Sequence, residues 1–154
     1  MGKCASRNFG LIASLTLVAD LCGAAPAFGD CGPGTVELRS PSGSVVRFSV
    51  EIADDEAERA QGLMNRDHMA TSAGMLFAYE RPRHPYFWMK NTLIPLDMIF
   101  VAPGGKILRI EANTVPYSLE PVPSGGDVEA VLELAGGRAA ELAINHGDQV
   151  DWKR

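Results

Sequence analysis

Hydrophobic and polar positions alternate with a period of two over much of this chain, the spacing that places one face of a strand in a core and the other in water. In residues 45 to 52, Val46, Phe48, Val50 and Ile52 alternate with Arg47, Ser49 and Glu51. Residues 35 to 39 also read as a strand, and Pro41-Ser42-Gly43-Ser44 supplies turn chemistry between the two, which predicts a hairpin. Further strands are expected over 74–77, 86–89, 96–101 and 106–112. In residues 128–134, Val128, Ala130, Leu132 and Leu134 alternate with Glu129, Val131 and Glu133, which predicts a long strand; 149–152 reads as a closing edge strand. The period changes once in this run. Asp54 or Asp55 can cap a helix, Ala53, Ala57, Ala60 and Met64 share a face, and the pattern stops near Gly62. Residues 138 to 144 read as one or two amphipathic turns. Pro82 and Pro85 bracket an expected loop, and Pro95 closes a shaped connector over 90–95, because proline gives a ladder no donor. About seven strands with only short helices make the expected fold class mainly β: a compact β-sandwich or partly closed barrel with one or two short helices.

The first thirty residues follow another pattern. Lys3 and Arg7 precede an apolar run from residue 9 to 18, and Ala24-Ala25-Pro26-Ala27-Phe28-Gly29 follows. A charged start, a short apolar middle and small residues at the end are the marks of a secretory signal. Asp20 interrupts the run well short of the ~20 residues that a membrane-spanning helix needs. Cleavage is expected after Ala27 or Gly29. Neither Cys22 nor Cys31 follows the small residue that a lipoprotein signal requires, so no lipid or transmembrane anchor is expected after cleavage. The expected organisation is a signal peptide over 1–27, a flexible mature N-terminus over 28–34 and a single β-rich domain over 35–154, placed in the periplasm or secreted.

Charge narrows the partners. The chain carries 14 basic and 19 acidic residues, a formal net charge of −5, and cleavage after Ala27 would remove Lys3, Arg7 and Asp20, leaving the remainder more acidic still. Nucleic acid is therefore not an expected partner, since its phosphates need a basic footprint. Of the 3 cysteines only Cys31 would survive cleavage, without a partner for a disulfide. The chain also lacks a phosphate-cradling Gly-x-x-x-x-Gly-Lys motif and a Gly-x-Ser-x-Gly elbow, and no cofactor is expected.

Chemistry-bearing residues concentrate in Trp88-Met89-Lys90-Asn91-Thr92-Leu93-Ile94-Pro95-Leu96-Asp97. Leu96, Met98 and Phe100 should share one strand face, leaving Asp97 with Ile99 and Val101 on the other. A carboxylate among such neighbours needs a partner: Lys90, Arg66 or backbone donors. Two readings follow. Lys90, Asn91, Thr92 and Asp97 line a pocket with Tyr86 and Trp88 as a stacking wall, or Asn91 and Thr92 stabilise a loop while Lys90 and Asp97 form an ion pair that fixes it.

Five segments fall in a recognisable order: Gly62-Leu63-Met64-Asn65-Arg66, Gly74-Met75-Leu76-Phe77, residues 88 to 100, Leu132-Glu133-Leu134 and Gly147-Asp148. In these the chain resembles the prokaryotic family called domain of unknown function 192, over roughly residues 36 to 151. The resemblance implies a compact β-rich fold, often carried behind an export signal, and brings no biochemical activity with it. Its pattern falls on Met64, Arg66, Trp88, Lys90, Asn91, Thr92, Asp97 and Glu133. Seven of these, Met64 apart, are the expected ligand-binding residues.

Three functions fit these residues. The first is an exported binding module for a polar small molecule or glycan, which needs no nucleophile. The second is a hydrolase acting on a glycan through Asp97 and Glu133, whose carboxyls would have to lie ~5 Å apart for a retaining or ~6.5–9.5 Å for an inverting mechanism. The third is a copper-binding or protein-contact domain. Met64, His68 and Met69 would supply soft ligands, but His68, His84 and His146 lack ligand spacing and Met64, Met75, Met89 and Met98 suit a core, so no metal site is expected. For protein contact the exposed part of Tyr86-Phe87-Trp88 would serve.

Overall fold

The computed structural model describes residues 33–153. The expected signal segment 1–27, Cys22, Cys31 and most of the stretch 28–34 lie outside the described residues. Strands β1 (Pro33–Arg39) and β2 (Val45–Ala53) form the expected hairpin, closed by hydrogen bonds of 3.0 Å from Ser40 N to Ser44 O and from Gly43 N to Ser40 O. Gly43 sits at φ 91°, a left-handed value that costs glycine nothing. Helix α1 (Glu56–Gln61) begins at Asp55, whose carboxylate accepts from Glu58 N at 2.8 Å while the Glu58 side chain accepts from the Asp55 backbone. That reciprocal pair satisfies two donors which the first turn of a helix leaves open.

The chain continues through β3 (Ala73–Arg83), β4 (Tyr86–Phe87), β5 (Leu96–Val101), β6 (Ile107–Glu111), β7 (Val122–Pro123), β8 (Val128–Ala135), α2 (Arg138–Glu141) and β9 (Gln149–Trp152). Seven strands form one sheet in the order β6-β5-β8-β3-β2-β1-β9, and β4 pairs with β7 as a separate ribbon. Neighbours in the large sheet are antiparallel except β2 and β3, which run parallel. A parallel pair cannot be joined by a tight turn, and the crossover here carries α1. The outer strands curl towards each other: Lys106 bridges Gln149, Ile107 N donates to Asp148 O at 2.9 Å, and Val150 N donates to Gly105 O at 2.7 Å. The fold is therefore mainly β, and of the two architectures expected it is the partly closed barrel, with two short helices.

Alternation along the strands divides the apolar side chains between two cores. Leu38, Phe48, Leu76, Ile99, Leu132 and Leu134 fill the concave side of the sheet. Met75, Phe77, Met98, Phe100 and Val131 cover its convex side, where Leu63, Met89 and Phe87 pack over them from outside. The segment after α1, the connector before β5 and the β4–β7 ribbon thus form a roof over the convex face.

Two strand boundaries differ from the pattern. The strand expected at 74–77 extends to Arg83 through Pro82, where a loop was expected. Its pairing with β8 shifts register between Ala78 and Arg83, so the proline occupies an exposed stretch outside the regular ladder, where a missing donor matters little. The strand expected at 86–89 is only Tyr86–Phe87. Beyond it the chain turns, with Met89 N donating to Ser118 O at 2.9 Å.

Candidate functional site

Sheet register decides which way the two signature carboxylates point. Residues directly opposite each other across antiparallel strands share a face. Glu133 lies opposite Met75 on one side and Met98 on the other, and both methionines belong to the convex core. Asp97 lies opposite Leu134, a concave-core residue. The two carboxyls therefore leave the sheet on opposite faces and cannot flank one glycosidic bond. The Asp97–Glu133 hydrolase pair is corrected on that ground.

Asp97 is fully buried, and its partners are backbone groups rather than Lys90 or Arg66. Its Oδ1 accepts from Asn113 N at 2.8 Å and Gly137 N at 2.9 Å, and its Oδ2 accepts from Ala139 N at 2.7 Å. Two of these donors belong to the start of α2, where N–H groups have no partner within the helix. Asp97 thus ties β5 to the turn after β8 and to the segment that follows β6. The expected Lys90–Asp97 ion pair does not form: Lys90 is exposed, with its ammonium 5.2 Å from the Trp88 ring centroid.

Glu133 stands at the floor of a cleft of about 620 Å³ between the convex face and its roof. Only 4% of the residue is exposed. Burial pushes its carboxyl up to about 8, so it is protonated at neutral pH and offers a hydroxyl donor. Thr92 and Phe87 also line the cleft, while Tyr86 (73% exposed) and Trp88 (51%) stand at its mouth. Thr92 is held by its own backbone: Thr92 N donates to Met89 O at 3.1 Å and Thr92 O accepts from Tyr117 N at 3.1 Å.

Sequence reasoning missed part of this wall. Arg59 of α1 and Arg83 at the end of β3 line the cleft, and both lie over the Tyr79 ring, 5.5 and 5.0 Å from its centroid. Burial pushes the Tyr79 phenol up to about 12, although both guanidinia pull it down. Arg59 also donates to Ala78 O at 3.2 Å. The helical and strand patterns placed these residues on elements, but nothing local indicated that the parallel crossover brings α1 beside the far end of β3.

The remaining signature residues divide between support and the cleft. Arg66 grips Glu51 through two parallel hydrogen bonds, Nη1 to Oε1 at 2.5 Å and Nη2 to Oε2 at 2.6 Å, which fastens the segment after α1 to β2. The Arg66 hydrogen bond holds the Glu51 carboxyl below its ordinary value. Asn91 (φ 53°) and Asn65 (φ 62°) take left-handed turns that asparagine tolerates, and Asn65 N donates to Asn91 O at 2.8 Å. Both Arg66 and Asn91 shape the roof without lining the cleft, which Trp88, Lys90, Thr92, Glu133 and Met64 do line. Among the described residues no group of three or more His, Cys, Asp or Glu side chains could hold a metal ion. Met75, Met89 and Met98 are buried in the convex core, and His68 is exposed beside Asp67.

A curled sheet carrying a roofed, carboxyl-floored cleft defines the class of protein. The family model described as "Uncharacterized ACR", domain of unknown function 192, matches residues 38–152, and the chain belongs to that family. Two solved structures are similar to it. One, from Sinorhizobium meliloti, is described as a proposed transcription regulator; it is 39% identical, with a TM-score of 0.79 over 82% of this chain and 98% of the other. The second, from Novosphingobium aromaticivorans and of unknown function, is 42% identical, with a TM-score of 0.76 over 84% of this chain and 94% of the other. Comparison with curated proteins gave no match.

Proposed function

We propose that the chain is an exported binding module that receives a polar small molecule or glycan in the cleft above Glu133. One observation carries this reading: a protonated carboxyl, nearly buried, forms the floor of an open cleft with exposed aromatic rings at its mouth. Inside a fold, a carboxyl with no charge partner costs stability, a cost more readily explained by a ligand than by packing. The rings of Tyr86 and Trp88 offer apolar faces for the C–H side of a sugar, Glu133 offers a hydroxyl donor to its polar edge, and the Thr92 hydroxyl, which donates to Lys90 O at 3.2 Å, offers an acceptor.

The export signal and a periplasmic or secreted location belong to the same proposal and rest on the first 27 residues of the sequence. Among the described residues no helix is long and apolar enough to cross a membrane. A role in transcription, in keeping with the Sinorhizobium relative, finds no support in the net charge of −5, which opposes a phosphate backbone.

Tryptophan fluorescence tests the reading. The chain has 2 tryptophans, and replacing Trp152 with Phe leaves Trp88 as the reporter. Titration with a panel of oligosaccharides should give a saturable change for at least one, abolished in Trp88→Ala when followed by calorimetry. If no panel member binds at millimolar concentration, the reading is lost.

A further inference from the structure

Among the described residues the arginines divide into those that hold a carboxylate and Arg59, Arg81 and Arg83, which are in no ion pair. Arg39, Arg47, Arg66, Arg109 and Arg138 each hold a carboxylate. Of the three strong cations that line the cleft, Arg59, Arg83 and Lys90, none has an ion-pair partner among the described residues; each lies over an aromatic ring instead. Among the described residues Glu56 and Glu133 bring carboxyls to this cleft, Glu133 buried at its floor, while Asp54, Asp55 and Glu80 line a separate hollow on the other side of Arg59 and Arg83.

We infer that the ligand of this cleft is anionic, a carboxylate-bearing sugar of the uronic acid type. This rests on the binding reading above and narrows it. The planar fork of a guanidinium matches a carboxylate with two parallel hydrogen bonds, and stacking on Tyr79 holds Arg59 and Arg83 in place before the ligand arrives. Lys90 adds a third positive charge beside the Trp88 ring, so one sugar can meet an apolar face and a cation together. Protonated Glu133 adds no negative charge at the floor, which leaves the Glu56 carboxyl against three cations in the lining.

The test is calorimetric titration of the purified full-length protein with trigalacturonate, with neutral galactotriose, and with inorganic phosphate as competitor. Trigalacturonate should bind, weakening as salt is added, and neutral galactotriose should bind at least about tenfold more weakly, the scale of one charge-assisted hydrogen bond. Arg83→Ala should reduce trigalacturonate affinity by about tenfold or more, and Arg83→Lys, which keeps the charge without the fork, should fall between. Arg81→Ala, on the same strand but outside the cleft, should bind as the parent does, and circular dichroism of each variant confirms that it has folded. Equal affinity for the neutral trimer overturns the anionic inference while leaving glycan binding standing. Phosphate competing as well as trigalacturonate overturns the sugar class, and binding of neither trimer counts against both readings.

Discussion

Replacing Asp97 by Asn tests whether this signature carboxylate holds the fold together. The change keeps the shape and removes the charge. An Asn oxygen can still accept from Asn113 N and Gly137 N, but its NH₂ group then faces Ala139 N–H, donor against donor, in a fully buried site. The flipped amide satisfies Ala139 and leaves the other two donors facing NH₂. The first, cheaper arrangement loses one hydrogen bond to a charged acceptor, worth ~1.5–3 kcal/mol, and leaves a buried donor unmet at a further ~1–3 kcal/mol. A total of roughly 3–5 kcal/mol should lower the thermal midpoint of a domain this size by roughly 10–20 °C. Circular dichroism melting would measure it. Lys90→Ala should move the midpoint by no more than ~4 °C, because it removes only an exposed cation–ring contact worth about 0.5–1 kcal/mol. A midpoint for Asp97→Asn within ~3 °C of the parent would refute the three-donor account, and equal losses in both variants would restore the ion pair.

Other perturbations probe the cleft and its supports. Burial raises the folded Glu133 carboxyl from its ordinary value of 4.5 to about 8, so the native state binds a proton that the unfolded chain has lost, and stability falls as pH rises through that window. Glu133→Gln should therefore match the parent near pH 4 and exceed it near pH 8 by a few kcal/mol in denaturant titrations; parallel pH profiles would contradict the buried, protonated acid. The Arg66–Glu51 pair is partly exposed, with side-chain exposures of 27% and 40%, so a double-mutant cycle to Ala should give a coupling of only about 1 kcal/mol after solvent screening. Its lowered Glu51 value makes that stabilisation present above the unfolded pKa and lost as acid protonates Glu51; a coupling unchanged down to pH 2 would rule the ion pair out. Gly74→Ala should destabilise by about 1–3 kcal/mol, since its Cβ would come within 2.6 Å of Glu133 O, a backbone atom in the adjacent strand that cannot swing aside. A neutral result there would mean that β3 and β8 can separate more easily than their register suggests.

Local chemistry explains why much of the fold is legible from the residues. The β1–β2 hairpin follows from a turn sequence between alternating strands, the start of α1 from a carboxylate three residues before Glu58, and the two faces of β5 from parity alone. The same parity describes β8 less well: Val128, expected on the face of Ala130 and Leu132, joins the convex core because the register shifts against β3. For the cleft, Trp88, Lys90, Thr92 and Glu133 stand out in the sequence as residues of the family pattern. Their roles were not separable from those of Asp97, Arg66 and Asn91, because one sequence segment feeds a concave core, a roof and a cleft within a few positions.

What the sequence determined by itself is therefore periodic or adjacent: strand and helix type, turn placement, overall acidity, and which side chains share a face within one element. Long-range pairing lay beyond it. The parallel union of β2 and β3 and the order that sets β8 between β5 and β3 fix the remaining relations. Asp97 against Leu134, and Glu133 against Met75 and Met98, are such relations. A shift of one residue in the β5–β8 register would have put both carboxylates on the same face, since strand side chains alternate with a period of two. Packing of distant segments likewise brought Arg59 and Arg83 to Tyr79, because the charge of a side chain is written locally while its neighbours are chosen by the fold.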